Sequence, residues 1–178
     1  MKLTIAGLEF EPLIKADAIQ ERVTQLAAQI NNDYADMDPI FIGVLNGSFL
    51  FIADMVKQIV VPCEITFTKL ASYFGGTQTT RKIREDIELS VDIKGRHIII
   101  VEDIVDSGNT IAYLINKLQI HQPASVAVCA LLLKPAALEH TINELKYVAF
   151  EVENHFVVGY GMDYQEWGRN LNGIYRKV

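Results

Sequence analysis

His97-Ile98-Ile99-Ile100-Val101-Glu102-Asp103-Ile104-Val105-Asp106-Ser107-Gly108-Asn109-Thr110 is the stretch that decides the fold. Its first five residues form an apolar, mostly β-branched run, the pattern of a strand buried on both faces. Beyond Thr110, residues Ile111, Leu114, Ile115 and Leu118 recur at helical spacing, so strand, turn and helix follow one another without a linker. A strand apolar on both faces needs helices on both sides, and an α/β sheet supplies them.

The same rhythm extends outward. Pro39 to Leu45 reads as a second doubly buried strand, and Ile52, Val56 and Ile59 mark a helix stopped before Pro62. Glu64 to Leu70 and Ser125 to Leu133 supply further strands, with Tyr147 to Val152 and Phe156 to Gly159 as shorter ones near the end. Upstream, Ile19, Val23, Leu26, Ala27 and Ile30 define an amphipathic helix over 15–31. The expected architecture is a mainly parallel central sheet flanked by helices, in one domain over 1–178. The polar stretch from Ala71 to Glu88 reads as a long loop, either a functional lid or a mere excursion.

Composition narrows the function classes. Half of the 178 residues are hydrophobic, enough for a core without disulfides or metal staples. The formal charge of -6 argues against broad attraction to nucleic-acid phosphates. Glu9 and Glu11 interrupt the N-terminal segment before a signal-peptide apolar region forms. The longest apolar run, Val126 to Leu133, reaches about half the roughly 18 residues of a membrane span. Cys63 and Cys129 lie in strand-like runs without ligand spacing and read as buried, reduced thiols, so a soluble protein of the cytoplasm is expected.

Ligands of parallel α/β sheets gather beyond the carboxyl ends of the strands, where the Glu102 to Thr110 turn should lie. Ser107-Gly108-Asn109-Thr110 offers hydroxyls and backbone N–H groups at a helix N-terminus, a ready phosphate site, with ordinary capping by Ser107 as the alternative. Capping does not account for Glu102, Asp103 and Asp106, because clustered carboxylates repel unless cations or sugar hydroxyls lie between them. A phosphorylated sugar with magnesium satisfies both halves. The nucleotide-triphosphatase and dinucleotide fingerprints are absent.

Val101 to Thr110 resembles the phosphoribosyl pyrophosphate (PRPP) motif of the hypoxanthine-guanine phosphoribosyltransferases. Three further segments agree in order: Val44-Leu45-Asn46-Gly47-Ser48, Ala71-Ser72-Tyr73 and Phe156 to Tyr164. The resemblance runs from about Pro39 to the C-terminus. It implies the type I phosphoribosyltransferase fold, with a flexible lid loop and a small base-binding region. It also implies transfer of the phosphoribosyl group to hypoxanthine or guanine with Mg2+, and a homodimer or homotetramer.

By the same resemblance, Glu102 and Asp103 hold the ribose diol, partly through the metal, and Ser107, Gly108, Asn109 and Thr110 bind the 5′-phosphate. Asp106 faces the purine as general acid/base. Asn46, Gly47 and Arg169 serve pyrophosphate, and Asp163 stands at the metal and the purine. Lys134 contacts the 6-oxo group, Phe156 stacks on the base, and Val157 offers backbone groups to its edge. Ser72 and Tyr73 open the lid, which excludes water, and Arg81, Lys82 and Arg84 are either PRPP-attracting or a solvated basic patch. Asn46 departs from the lysine many relatives carry there, and an amide cannot replace that charge. Two other readings remain: a PRPP-sensing regulator, disfavoured because no nucleic-acid module is appended, and transfer to xanthine or a pyrimidine. No nucleic acid or membrane partner is expected.

Overall fold

The computed structural model describes residues 2–73 and 82–178, with the backbone alone described at 71–73 and 82–85. In chain order the elements are β1 (Leu3–Ile5), β2 (Leu8–Ile14), α1 (Ala16–Asp33), β3 (Ile40–Leu45), α2 (Phe49–Val56), β4 (Glu64–Tyr73) and β5 (Lys82–Ile87). There follow β6 (His97–Val105), α3 (Asn109–Ile120), β7 (Ser125–Leu133), a short 3-10 turn (Pro135–Ala137), β8 (Leu145–Glu151), β9 (Val157–Val158) and β10 (Ile174–Lys177). Six strands form the main sheet in the order β5-β4-β3-β6-β7-β8, and all neighbours run parallel except β5 against β4.

Alternation along the central strands splits the core into two layers. Phe41, Ile99, Val101, Cys129 and Leu131 face α1 and α2, which contribute Ile19, Val23, Leu26, Phe51 and Met55. Ile40, Ile42, Ile98, Ile100, Val128 and Ala130 face Ile111, Leu114, Ile115 and Leu118 of α3. The helices therefore cover both faces, and the carboxyl ends of β3, β6 and β7 come side by side. A second sheet, β1-β2-β10-β9, is antiparallel and packs around Phe10 and Val158.

Several expectations change. β4 continues to Tyr73 and β5 pairs antiparallel with it, so the stretch from Ala71 is not a structureless loop over its described parts. The side chains of Ser72, Tyr73, Lys82 and Arg84, and all of 74–81 including Arg81, lie outside the described residues. β6 runs through Val105, which puts Glu102 and Asp103 on the strand rather than in the turn. α2 ends at Val56, short of Ile59. Phe156 precedes β9 rather than lying in it. Cys63 is half-buried ahead of β4, whereas Cys129 is buried in β7, where burial pushes its thiol far up and away from nucleophilic chemistry.

Candidate active site

β3 ends at Leu45, and the Leu45–Asn46 peptide bond is cis. Ser48 closes the loop by donating its hydroxyl to the Val44 carbonyl at 2.6 Å. Gly47 sits between two neighbours. A Cβ on it would fall onto the Asp103 carboxylate, and a Cβ on Gly161 would fall onto the Gly47 carbonyl oxygen. Only glycine allows the loop after β3, the end of β6 and the Gly161 turn to touch at one point.

Glu102 is 8% exposed, and its Oε2 is a buried oxygen with no hydrogen-bond partner. Burial, reinforced by the Asp103 charge, pushes its carboxyl well above the ordinary range. Asp103 is raised as well, by burial, although the Ile104 N–H donates to its Oδ1 at 2.8 Å and the Arg169 charge favours its ionised form. A buried carboxylate oxygen left unpaired costs free energy until something supplies a donor or a cation.

Beyond β6 the chain turns through Gly108, at φ +83, into α3. No side chain caps this helix at Gly108, and Ser107 Oγ reaches only the Asn109 N–H, at 3.4 Å. Ordinary capping is thus weak. The N–H groups of the first turn are available to an anion. Asn109 donates its side-chain amide to Glu139 at 2.8 Å, a partner the sequence did not reveal.

Lys134, at the end of β7, is 6% exposed and puts its Nζ 3.0 Å from Asp106 Oδ2, with Asp106 about half in solvent. Its own N–H bonds to the Val105 carbonyl at 3.0 Å, which fixes it beside the end of β6. On the third side, Arg169 grips the Gly161 turn, donating to the Gly161 carbonyl at 3.0 Å and pairing with Asp163 Oδ1 at 2.7 Å. Glu166 completes this clamp. Its N–H donates to Asp163 Oδ2 at 2.7 Å and its carboxylate takes Arg169 at 3.0 Å, a role signalled in sequence only by its spacing from Arg169.

Gly47, the Glu102–Asp103 pair and the Gly161–Arg169 turn are thus brought together, and Asp106 with Lys134 forms a second pair next to them. Phe156 is 47% exposed and meets Tyr164 edge-on at 5.7 Å and Phe10 at 6.3 Å. Val157 is buried in β9. Among the described residues no three His, Cys, Asp or Glu side chains form a ready metal cluster. Magnesium does not require one, since it commonly takes one or two carboxylates and fills its shell with water and substrate phosphate oxygens. The unpartnered Glu102 oxygen fits such an ion or a sugar hydroxyl.

An uncapped helix start, a buried carboxylate oxygen without a partner and a glycine-lined loop meet at the carboxyl ends of the strands, an arrangement whose chemistry suits an anionic, hydroxyl-bearing ligand. The comparisons agree. A family model, Phosphoribosyl transferase domain, matches residues 14–165. A hypoxanthine phosphoribosyltransferase from Haemophilus influenzae is 40% identical over 169 residues, covering 93% of this chain and 94% of its own. A hypoxanthine-guanine phosphoribosyltransferase from Mycobacterium tuberculosis is 42% identical over 168 residues, covering 91% and 83%. The crystal structure of a hypoxanthine-guanine phosphoribosyltransferase from Bacillus anthracis superposes with a TM-score of 0.89 at 38% identity, covering 94% and 98%. The chain belongs to the hypoxanthine-guanine phosphoribosyltransferase family and is a pentosyltransferase of purine salvage.

Proposed function

We propose that the chain acts as one domain and transfers the 5-phosphoribosyl group of PRPP to N9 of hypoxanthine or guanine, releasing pyrophosphate. The observation that carries this reading is the unpartnered Glu102 oxygen next to the uncapped start of α3, because a ribose diol or its metal and a 5′-phosphate would satisfy both. Magnesium, when bound, spreads the charge that develops on the departing pyrophosphate.

The chain's own groups do the rest. Ser107 to Thr110 hold the 5′-phosphate, and Glu102 with Asp103 orients the ribose and addresses the metal. Lys134 donates to O6, Phe156 stacks on the base, and Val157 reads its edge through the backbone. As N9 forms its bond to the sugar carbon and the bond from that carbon to the pyrophosphate oxygen breaks, the proton on N7 passes to Asp106. Asn46, Gly47 and Arg169 receive the leaving group, with Asp163 at the metal. Ser72 and Tyr73 begin the lid that keeps water from the electrophilic carbon. The reading includes the cytoplasm as compartment and a dimer or tetramer as the working form, which sedimentation would measure.

A panel of hypoxanthine, guanine, xanthine, adenine and a pyrimidine, each with PRPP and Mg2+, tests the reaction. Nucleotide and pyrophosphate should form in equal amounts with the first two. Turnover confined to a pyrimidine, or none with any base, would overturn it.

A further inference from the structure

Tyr160 lies inside the Gly159–Asp163 turn, yet its side chain leaves the site and enters the core, where it is 3% exposed. Its hydroxyl donates to Asp54 Oδ2 at 2.7 Å. Asp54 stands in the second turn of α2, the helix that begins directly after the Asn46–Ser48 loop. The same carboxylate is fixed from two other sides, by Gln20 of α1 at 2.7 Å and by Lys57 at 2.7 Å. Burial alone would raise the Asp54 carboxyl; the three donors outweigh it and hold it below the ordinary range.

At the other end of this connection the backbone contact is tight. Gly161 abuts the Gly47 carbonyl with no room for a side chain, and Gly47 in turn abuts Asp103. The turn is bound as a unit to the following segment through Tyr160 N–H to Leu171 and Gly161 N–H to Arg169. It is not bound to the 46–48 loop by any equivalent pair of backbone hydrogen bonds among the described residues. What holds it against that loop is van der Waals contact at Gly47, the packing of Tyr160 and Met162 in the core they share with Phe51, Ile52 and Met55, and the Tyr160–Asp54 hydrogen bond.

We propose that Asp54 and Tyr160 are positioning residues: their hydrogen bond sets the spacing between the Gly159–Asp163 turn and the 46–48 loop at which Gly47, Asp163 and Arg169 address one pyrophosphate group. Neither side chain touches substrate. The proposal rests on reading that loop and turn as the pyrophosphate subsite, and it extends that reading to residues outside it.

The molecule contains its own control. Tyr147, 1% exposed, donates its hydroxyl to Asp33 Oδ2 at 2.7 Å, the same chemistry in the same state of burial at the opposite end of the sheet. Steady-state constants for PRPP and hypoxanthine, pyrophosphate product inhibition and melting temperature are measured for wild type, Tyr160→Phe, Asp54→Ala, Asp54→Asn and Tyr147→Phe. A hydrogen bond to a charged group corresponds to about tenfold in an equilibrium constant. Tyr160→Phe and Asp54→Ala should therefore raise the KM for PRPP and the inhibition constant of pyrophosphate together, by up to about tenfold, and leave the KM for hypoxanthine near wild type. Asp54→Asn keeps an oxygen for Tyr160 and should fall between wild type and these two variants.

Tyr147→Phe should lose a comparable melting temperature and keep every kinetic constant. Unchanged PRPP and pyrophosphate constants in Tyr160→Phe would overturn the positioning role, as would an equal shift in Tyr147→Phe. If Tyr160→Phe does not fold, folded Asp54→Ala, which also removes the bond, decides by the same two constants. Failure of the wild type to form nucleotide would remove the functional reading and this one with it; normal wild-type turnover indifferent to Tyr160 removes this one alone.

Discussion

Two tyrosines and a histidine crowd the amino ends of β6, β7 and β8; three carboxylates and a lysine crowd the carboxyl ends of β3, β6 and β7. At the first end each polar group has a partner. His97 Nδ1 meets Ser125 Oγ at 2.8 Å, Tyr34 meets the His97 ring edge-on, and Asp33 takes both the Tyr147 hydroxyl and Lys146. At the second end the Glu102 oxygen has none, two carboxyls are raised by burial, and Lys134 finds its acceptor in a half-exposed Asp106. The same sheet thus carries an end whose polar groups are paired and an end where a buried oxygen is left unpaired, as the proposed binding role requires.

The largest effect should come from Lys134. A buried ammonium donates to a 6-oxo group but faces another donor in adenine, and a site organised around such a bond discriminates by about 10⁴–10⁵. Lys134→Ala should collapse kcat/KM for hypoxanthine and guanine, with Lys134→Gln less severe because an amide still donates. Adenine as the preferred wild-type base, or indifference of all bases to both variants, would break the assignment. Asp106→Asn comes next, slowing nucleotide formation by roughly 10²–10⁴ with PRPP binding retained, as loss of a general acid/base does. Near-normal turnover in single-turnover experiments would remove Asp106 from that role.

How far the sequence showed this asymmetry depends on the range of the signal. Glu102, Asp103, Asp106 and the Ser107–Thr110 run are contiguous, so strand, acid pair and phosphate turn could all be read from one string. The pattern nonetheless places Glu102 and Asp103 in the turn, because two carboxylates after an apolar run look like its terminus, whereas the strand continues past them through Ile104 to the buried Val105. The glycine contacts of Gly47 with Asp103 and Gly161, and the Tyr160–Asp54 bond, join segments far apart in sequence, and no spacing rule announces them. Of the small sheet only β9 is legible in the sequence, within the strand expected over Phe156 to Gly159, and its other strands escape for another reason. β1 and β10 are short, and β2 carries Pro12 within a weak alternation, so each lacks a local pattern strong enough to stand without its neighbours.

A third test sharpens the comparison through stability. Glu102→Gln removes a buried carboxyl whose ionised form burial disfavours and whose Oε2 has no partner, so the ligand-free variant should be more stable than wild type at neutral pH by about 0.5–2 kcal/mol, while binding PRPP and Mg2+ more weakly. The Glu102 carboxyl is raised above its ordinary value of 4.5, so the folded protein keeps a proton that the unfolded chain has lost. Stability from that proton is fully present below pH 4.5 and is lost as pH rises through the folded value, which makes the variant's advantage grow with pH. Thermal melts in chelator across a pH series check this, and a destabilised Glu102→Gln at neutral pH would contradict it.

The smallest effect, at the opposite end, should have the opposite slope. The Tyr147 hydroxyl, which donates to Asp33, is the chief reason this carboxyl sits below its ordinary 3.8, with burial opposing and Lys146 assisting. A lowered carboxyl contributes stability that is present above the unfolded value and lost as pH falls through the folded one. Asp33→Asn keeps an oxygen for Tyr147 but gives up the charge that Lys146 meets at 3.2 Å. Because Asp33 is partly in solvent, the loss should be less than about 1 kcal/mol near neutral pH. The gap from wild type should then close in acid, below pH 3.8, where the native carboxylate also protonates. Kinetic constants for PRPP, base and pyrophosphate should not move, since nothing at this end of the sheet touches the site. A gap that persists or widens in acid would show that Asp33 acts through its shape rather than its charge, and a kinetic shift would show that the two ends are coupled.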